Sequence, residues 1–261
     1  MAEFPWGVTG SYPEMYEALA VPAFFRRFAE DLVDRAAPAP GERILDVACG
    51  TGVVSRLIAE RELGPERLTA LDLTPAMLDV ARAAPHAEAV EWTQGDAQDL
   101  GFEDGSFDLV LSQQGLQFVP DGEAAAREMH RVLGDDGRAL VACWAGTDSQ
   151  PLFSEFVSVL DAHAPDFAAA AQMPFSMTGD RLAGMFEAAG FREVELTEHE
   201  DVGTWPSAEQ FVRTFRDGTP ISLLLGTLEP EAVQGISRDA EERVGAHAQP
   251  DGSLRGPMRT H

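Results

Sequence analysis

The chain has 261 residues, of which 44 are acidic and 19 basic, and its formal net charge is −25. A chain of this length with 44% hydrophobic residues is expected to form one large or two unequal globular domains. So negative a surface repels phosphate backbones and anionic lipid, and we therefore expect neither nucleic acid nor a membrane as a partner.

The cysteines and the apolar runs favour a soluble cytoplasmic protein. Cys49 and Cys143 provide neither a disulfide framework nor the spacing of a metal site, so we expect no bound metal. No early segment joins a basic region to an apolar run, and no apolar run approaches membrane-spanning length.

Residues 1–40 precede the first strand. Apolar residues recur at helical spacing over 14–37, which predicts one or two amphipathic helices broken near Pro22. A Pro- and Gly-rich stop at 38–41 follows, and the pattern predicts a helical arm over 1–40.

Strands and helices alternate from residue 41 to residue 146. Thr74 and Pro75 are typical of a helix start, and Gly134 is typical of a helix end after 122–134. Strands that alternate with helices imply a parallel sheet with right-handed crossovers. The five predicted strands are 43–48, 67–73, 89–97, 107–114 and 137–144.

After residue 144 the pattern loosens. Helical spacing predicts helices over 151–163, 178–189, 206–217 and 229–248, whereas 164–177 has few apolar anchors. Alternating residues predict a sixth strand over 191–204, and 253–261 is interpreted as a seventh.

Polar residues fall where the predicted parallel strands end, which is where such sheets bind ligands. Asp46 and the glycine turn end strand one, Asp72 ends strand two, and Asp96 ends strand three. An acid roughly 20 residues beyond a glycine turn is placed to bind two ribose hydroxyls. Each acid also has a purely structural interpretation, as a helix cap or a turn former. Gln113 and Gln114 end strand four and face opposite sides if that strand continues.

Four segments in order carry a resemblance to a known family. The segments LDVACGTG, ALDLTPAML, GDAQDLGFEDGSFDLVLSQQGLQFV and AAREMHRVLGDDGRALVACW resemble the class I S-adenosylmethionine-dependent methyltransferases, in the small-molecule, methyltransferase-11-like branch. The resemblance is close over 41–146 and looser from residue 12 onward. It implies an α/β fold with a Rossmann-like, seven-stranded, mostly parallel sheet between helices, with a helical cap.

The resemblance also implies roles for particular residues, with S-adenosyl-L-methionine as the cofactor. The methionine end would be held by the glycine turn, the ribose by Asp72, and the adenine edge by Asp96 and Ala97. The implied cofactor residues are Tyr16, Asp46, Ala48, Gly50, Gly52, Asp72, Leu73, Met77, Asp96, Ala97, Gln113 and Gln114. The implied substrate pocket comprises Tyr12, Phe118, Trp144 and Trp205.

The expected domains are a helical arm or lid over 1–40, a cofactor-binding core over 41–204 with a cap insertion at about 147–180, and a cap segment with the final strand over 205–261. The chain departs from the family pattern twice. Ala48 stands where the family usually has glycine, and the last strand is either short or cut off at His261.

The reaction expected is methyl transfer to a small apolar or aromatic acceptor, on oxygen, nitrogen or carbon, in secondary metabolism. Such an in-line displacement needs alignment and exclusion of water more than a catalytic group. A phenol would need a base, and His199 is the candidate, ahead of His163 and His130. The oligomeric state stays open, a homodimer included.

Two other classes of protein share part of this pattern. A nicotinamide-dependent oxidoreductase also begins with a strand, a glycine turn and a helix, but this chain lacks GxGxxG. A non-catalytic module that binds S-adenosylmethionine would keep the cofactor acids without a cavity for an acceptor. Calorimetry with both cofactors separates the first class, and methylation of a panel of acceptors separates the second.

Overall fold

A five-stranded parallel sheet organises the computed structural model, which describes residues 12–261. The sheet order is β3-β2-β1-β4-β5, and two further strands pair antiparallel as β6-β7. The strands are β1 (Arg43–Val47), β2 (Arg67–Asp72), β3 (Glu91–Gln94), β4 (Phe107–Gln113), β5 (Leu133–Ala142), β6 (His199–Trp205) and β7 (Leu254–Thr260).

Helices account for most of the remaining elements. A π-helical segment, Tyr16–Phe25, contains Pro22 and joins the first two helices. The α-helices are α1 (Tyr12–Met15), α2 (Arg26–Ala36), α3 (Val53–Glu60), α4 (Pro75–Ala83), α5 (Gly122–Val132), α6 (Pro151–His163), α7 (Pro165–Gln172), α8 (Gly179–Ala188), α9 (Ala208–Asp217), α10 (Ile221–Leu225) and α11 (Pro230–Gly245). None of the helices within residues 12–261 combines the length and the apolar character needed to cross a membrane.

The chain divides into two units. The sheet unit comprises 26–144, 177–197 and residue 261, and the helical unit comprises the chain up to 25, 145–176 and 198–260. The sheet unit contains the five parallel strands, and the helical unit contains β6 and β7.

The central strand of the sheet unit is β1, which pairs with β2 on one side and β4 on the other. Ile44, Leu45 and Val47 are fully buried, as a strand covered on both faces requires. Helix α5 packs with α8, and α2 packs with α3. The buried apolar residues of α5 and α8, such as Met129 and Leu182, pack in the same core as the central strand.

The helical unit is organised around aromatic rings. Phe24 stacks on Phe215 with ring centroids 5.9 Å apart, and Trp205 meets Phe211 at 4.8 Å. Phe153 lies 5.0 Å from Phe215. These rings come from the π-helical segment, β6, α6 and α9, so the aromatic contacts hold elements distant in sequence together.

Most predicted elements are confirmed. Helix α6 has the predicted bounds, and the seventh strand is present as β7. The cap predicted for α8 is also present, since the Thr178 hydroxyl accepts a hydrogen bond from the N–H of Arg181. Among the described residues the seven strands are distributed as five parallel and two antiparallel. Around Pro22 the chain stays helical and takes π geometry, which accommodates the missing N–H.

Several local predictions are wrong, among them the fifth strand, which begins at Leu133 rather than at residue 137. Gly134 does not end a helix, because α5 ends at Val132 and Leu133 pairs directly with Phe107. The sixth strand begins at His199 rather than at 191, since its pairing partner β7 extends only from Leu254 to Thr260. Strand β3 is only four residues long, and α7 forms where no helix was expected.

Candidate active site at the carboxyl edge of the sheet

The turn between β1 and α3 uses backbone conformations that side chains rarely adopt. Ala48, Gly50 and Gly52 have φ values of 57°, 57° and 79°. The N–H of Cys49 donates to the carbonyl of Leu71 at 3.0 Å, and the N–H of Gly52 donates to the carbonyl of Cys49 at 2.8 Å. Gly52 precedes α3 without a side chain to cap it. The helix end therefore keeps the partial positive charge that favours an anionic group.

A tryptophan side chain fixes the position of this turn. A β-carbon on Gly52 would lie 2.2 Å from Cη2 of Trp92, so the ring occupies the space that any other residue would need. The Nε1–H of Trp92 donates to the carbonyl of Ala87 at 3.0 Å, which holds the ring in place. Glycine is therefore required at position 52 for steric reasons as well as for its backbone angle.

Asp72 ties the glycine turn to the end of β2. Its Oδ2 accepts the N–H of Gly50 at 2.7 Å, and its Oδ1 accepts the N–H of Thr74 at 2.8 Å. Burial raises the pKa of Asp72, although these backbone hydrogen bonds oppose the rise. A carboxylate offers about four acceptor sites, so both oxygens can still accept hydrogen bonds from a ligand.

Asp46 connects β1 to α3 with one of its two oxygens. Its Oδ2 accepts the hydroxyl of Ser55 at 2.7 Å and the N–H of Ser55 at 3.2 Å. Its Oδ1 has no hydrogen-bond partner among residues 12–261. Complete burial raises the pKa of Asp46 to about 7. The structural interpretation of Asp46 as a tie to the helix is thus correct for one oxygen, and the contact of the other oxygen with a ligand stays a prediction.

Several buried polar groups near the ends of β1 and β4 lack hydrogen-bond partners within the described part of the chain. Buried polar groups are normally paired, because leaving one unpaired carries the full cost of removing it from water. A concentration of such groups at the carboxyl edge of a parallel sheet is typical of a site that receives a polar ligand. The atoms concerned are Asp46 Oδ1, Thr51 Oγ1, Ser112 Oγ, and the side-chain amide atoms of Gln114 and Gln117.

The residues predicted to contact a nucleoside follow β2 and β3, and one of them, Met77, lies in α4. Leu73 is one of the few exposed large hydrophobic residues in the described chain, at 49% exposure, and it directly follows Asp72. Met77 and Ala97 are buried. Asp96 is half-buried, and its Oδ1 accepts the N–H of Gln98 at 2.9 Å. Asp96 therefore forms the turn that its structural interpretation anticipated, and its contact with a ligand stays a prediction.

Gln113 and Gln114 do not continue one strand. Gln113 ends β4 in register with Ala142, and Gln114 has a φ of 46° with its N–H donating to the carbonyl of Ala142 at 2.7 Å. Strand alternation therefore does not apply to Gln114, whose side chain is buried. Phe118 lies in a 3₁₀ helix, Leu116–Phe118, and is half-buried.

The other predicted residues are distributed over both units. In the sheet unit, Trp144 is buried and meets Phe28 edge-on at 5.1 Å. Tyr12, Tyr16 and Trp205 belong to the helical unit, and their part in the site stays a prediction. Tyr12 and Tyr16 have ring centroids 6.3 Å apart.

The candidate histidines differ in their surroundings. His199 begins β6, paired in register with Thr260. His163 lies 2.8 Å from Asp239 through its Nε2, which is a structural partner, and the His130 ring packs edge-on against Phe191. The role of His199 as a base stays a prediction.

Sequence reasoning missed four residues of this edge. Ser55 and Thr51 are polar residues within an apolar turn and helix, a pattern that could have indicated their roles. Trp92 and Gln117 carried no recognisable sequence pattern, because their importance depends on contacts between distant elements. None of the His, Cys, Asp and Glu residues in 12–261 gather in threes as a metal site would require.

Comparison with known proteins places these features in a family. A family model described as a methyltransferase domain matches residues 45–141. Nocamycin O-methyltransferase of Saccharothrix syringae is 34% identical, over 90% of this chain and 88% of its own length. The ubiquinone/menaquinone biosynthesis C-methyltransferase of Ruegeria sp. strain TM1040 is 37% identical over 51% of this chain. The chain spans about half of that relative, 54% of its length.

The fold also matches solved structures. Phosphoethanolamine N-methyltransferase 2 of Haemonchus contortus, solved in complex with S-adenosyl-L-methionine, superposes with a TM-score of 0.57 at 21% identity. The match covers 95% of this chain and 55% of that one. At that identity the comparison shows a shared fold.

Proposed function

This chain belongs to the S-adenosylmethionine-dependent methyltransferases, and we propose that it methylates a small apolar or aromatic acceptor in secondary metabolism. The observation that carries the proposal is the position of Asp72, whose carboxylate ends β2 and binds the N–H of Gly50 in the glycine turn. A carboxylate held there suits the two hydroxyls of a ribose, and the turn beside it suits the charged tail of a nucleoside.

The residues present fit S-adenosylmethionine. Its ammonium and carboxylate groups would supply partners for the unpaired Oδ1 of Asp46 and the unpaired hydroxyl of Thr51. Its ribose hydroxyls would use the acceptor sites left on Asp72. The exposed side chain of Leu73 would gain an apolar partner from the ribose or the adenine.

When bound, the cofactor supplies a methyl group on a positively charged sulfur. Asp72 and the glycine turn would hold the cofactor, and an acceptor that took up the methyl would release a proton in exchange. The protein's contribution is to hold the cofactor, to align the acceptor and to exclude water. Buried thiols do not assist, because burial raises the pKa of Cys143 to about 12 and that of Cys49 well above its ordinary value.

Two observations support an uncharged acceptor: the reactions for which the relatives are named, and the uncharged side chains at the carboxyl edge of the sheet. Nocamycin O-methyltransferase, whose match covers 90% of this chain, is named for methylation of an oxygen, and the quinone-biosynthesis relative is named for methylation of a carbon. Gln114 and Gln117 bring buried, uncharged amides to the edge of the sheet. These observations favour an uncharged acceptor, and a nucleic acid is disfavoured by the net charge of −25.

The remaining predictions from the sequence accompany this proposal. Both cysteines are free thiols, which supports a reducing, cytoplasmic location. The roles of residues 1–40 as a lid, and of about 147–180 and 205–261 as a cap, stay predictions. The oligomeric state stays open, and a homodimer is compatible with the predicted lid and cap.

The direct test is transfer of labelled methyl from S-adenosylmethionine to a panel of phenols, enols, quinols and amines. We expect incorporation into at least one uncharged acceptor by the unmodified protein and by Asp108→Asn, and its loss in Asp72→Asn. Asp108 is the matched control because it lies at the opposite, amino end of β4, paired with Arg43. Binding of NAD in place of S-adenosylmethionine would contradict the proposal.

A further inference from the structure

We propose that Gln117 positions the methyl acceptor by hydrogen bonding to an oxygen atom of that acceptor, so that the enzyme selects hydroxyl-, enol- or carbonyl-bearing molecules. The inference rests on the proposed function and specifies its substrate class. Gln117 lies outside the residues that the cofactor would use.

The first argument is the burial of an unused amide. The side chain of Gln117 is 8% exposed, and neither its oxygen nor its nitrogen has a hydrogen-bond partner within residues 12–261. An amide offers two donors and an acceptor, so burial without partners is costly. A native protein keeps such a group for a reason, and a bound molecule that supplies the missing hydrogen bonds is one such reason.

Another buried glutamine in this chain, Gln150, has hydrogen-bond partners at both ends of its amide and so differs from Gln117. Gln150 is 1% exposed, and both its amide nitrogen and its amide oxygen form hydrogen bonds. Its Nε2 donates to the carbonyl of Arg259 at 2.8 Å, and its Oε1 accepts the N–H of Arg259 at 3.1 Å. A structural glutamine in this protein is therefore fully paired, whereas Gln117 is not.

The second argument is position. Gln117 lies in the 3₁₀ helix that follows β4, and Gln114, which leads into that helix, donates its backbone N–H to the carbonyl of Ala142 at the end of β5 at 2.7 Å. It thus lies over the carboxyl ends of β4 and β5. Asp72 and the glycine turn lie at the ends of β2 and β1, on the other side of the β1–β4 junction in the order β3-β2-β1-β4-β5.

Because these groups lie on different sides of the β1–β4 junction, we expect the two sides of the sheet edge to bind different ligands. The β1–β2 side contains the carboxylates and the helix end, which match the charged and hydroxyl groups of the cofactor. The β4–β5 side contributes the uncharged amide of Gln117. A cationic amine that left water for this side would meet no negative charge to compensate for its lost hydration. A hydroxyl or carbonyl oxygen, in contrast, can form hydrogen bonds with the amide of Gln117.

The test uses Gln117→Met, which keeps the length of the side chain and removes both polar ends, with Gln150→Met as the matched control. Oxygen-bearing probes are catechol, 1,3-cyclohexanedione and 1,4-dihydroxynaphthalene, and oxygen-free probes are aniline and benzylamine. The measurements are Tm without ligand, the Kd for S-adenosylhomocysteine, and kcat/KM for each probe.

For Gln117→Met we expect Tm to rise by about 2–4 °C, because an unpaired buried amide is removed. We expect kcat/KM for oxygen-bearing probes to fall about tenfold to a hundredfold, as loss of one or two hydrogen bonds would cause. The Kd for S-adenosylhomocysteine should stay within about twofold. Gln150→Met should instead lower Tm, because it breaks two existing hydrogen bonds.

A fall in Tm for Gln117→Met like that of Gln150→Met would overturn the inference, since the amide would then be structural. Unchanged kcat/KM for the oxygen-bearing probes, or methylation of the oxygen-free probes alone, would overturn it while leaving the proposed function intact. If the unmodified protein bound no cofactor and methylated no probe, the proposed function itself would fail. The change in Tm tests whether the amide of Gln117 is unpaired in the free protein, and this test does not depend on any measurement of activity.

Discussion

Replacing Asp46 by asparagine should change how the stability of the protein depends on pH. Burial raises the pKa of Asp46 from 3.8 to about 7 in the folded protein. Between these two values the folded state keeps a proton that the unfolded state has released. The stabilisation is therefore complete below about pH 4 and is lost as the pH rises through about 7.

The size of the effect follows from that difference. One pKa unit corresponds to about 1.36 kcal/mol, so ionising buried Asp46 removes about 4 kcal/mol of stability in total. About half of it, about 2 kcal/mol, is lost between pH 5.5 and pH 8.5, a range that stays above the isoelectric point of 4.4. The asparagine side chain of the variant cannot ionise, and its oxygen can still accept the hydroxyl of Ser55.

The assay is urea unfolding followed by circular dichroism at several pH values and constant ionic strength. The pKa of Asp72 is raised too, so the quantity compared is the free energy of unfolding of the wild type minus that of the variant. This difference should fall by about 2 kcal/mol from pH 5.5 to pH 8.5. A difference that stays constant over this range would show that Asp46 is already ionised when buried, and would refute the reasoning.

Two further predictions concern the turn. Gly52→Ala should lower the free energy of unfolding by about 2–4 kcal/mol because its β-carbon meets the Trp92 ring at a left-handed backbone angle. Gly52→Ala with Trp92→Leu should recover part of that loss in urea unfolding, and strictly additive effects would show that the ring is not the obstacle. Ala48→Gly should raise the free energy of unfolding by about 0.5–1 kcal/mol, since alanine at a φ of 57° is strained. A decrease measured in the same assay would mean that the packing of the Ala48 methyl outweighs the strain.

Local patterns in the sequence account for the sheet and for part of its functional edge. Strands such as β1 are apolar runs buried on both faces, and helix starts such as Thr178 follow from short-range hydrogen bonds. Asp72 could be predicted because parallel strands bring their carboxyl ends to one edge. Its bond to the turn confirms that Asp72 and Gly50 are neighbours.

Features that depend on pairing between distant segments could not be predicted. The start of β6 is determined by the length of β7, about 50 residues further along the chain. The end of α5 is determined by the pairing of Leu133 with Phe107. Likewise, the burial of Gln117 depends on the packing of the segment after β4, which no periodicity in the sequence reveals.

The central claim is that the carboxyl edge of the sheet binds S-adenosylmethionine through Asp72. Isothermal titration calorimetry with S-adenosylhomocysteine tests it most directly, on the wild type, Asp72→Asn and Asp108→Asn. The claim predicts one binding site in the wild type and in Asp108→Asn, and a loss of about 1–3 kcal/mol of binding free energy in Asp72→Asn. Equal affinity for all three proteins, or binding of NAD alone, would contradict it.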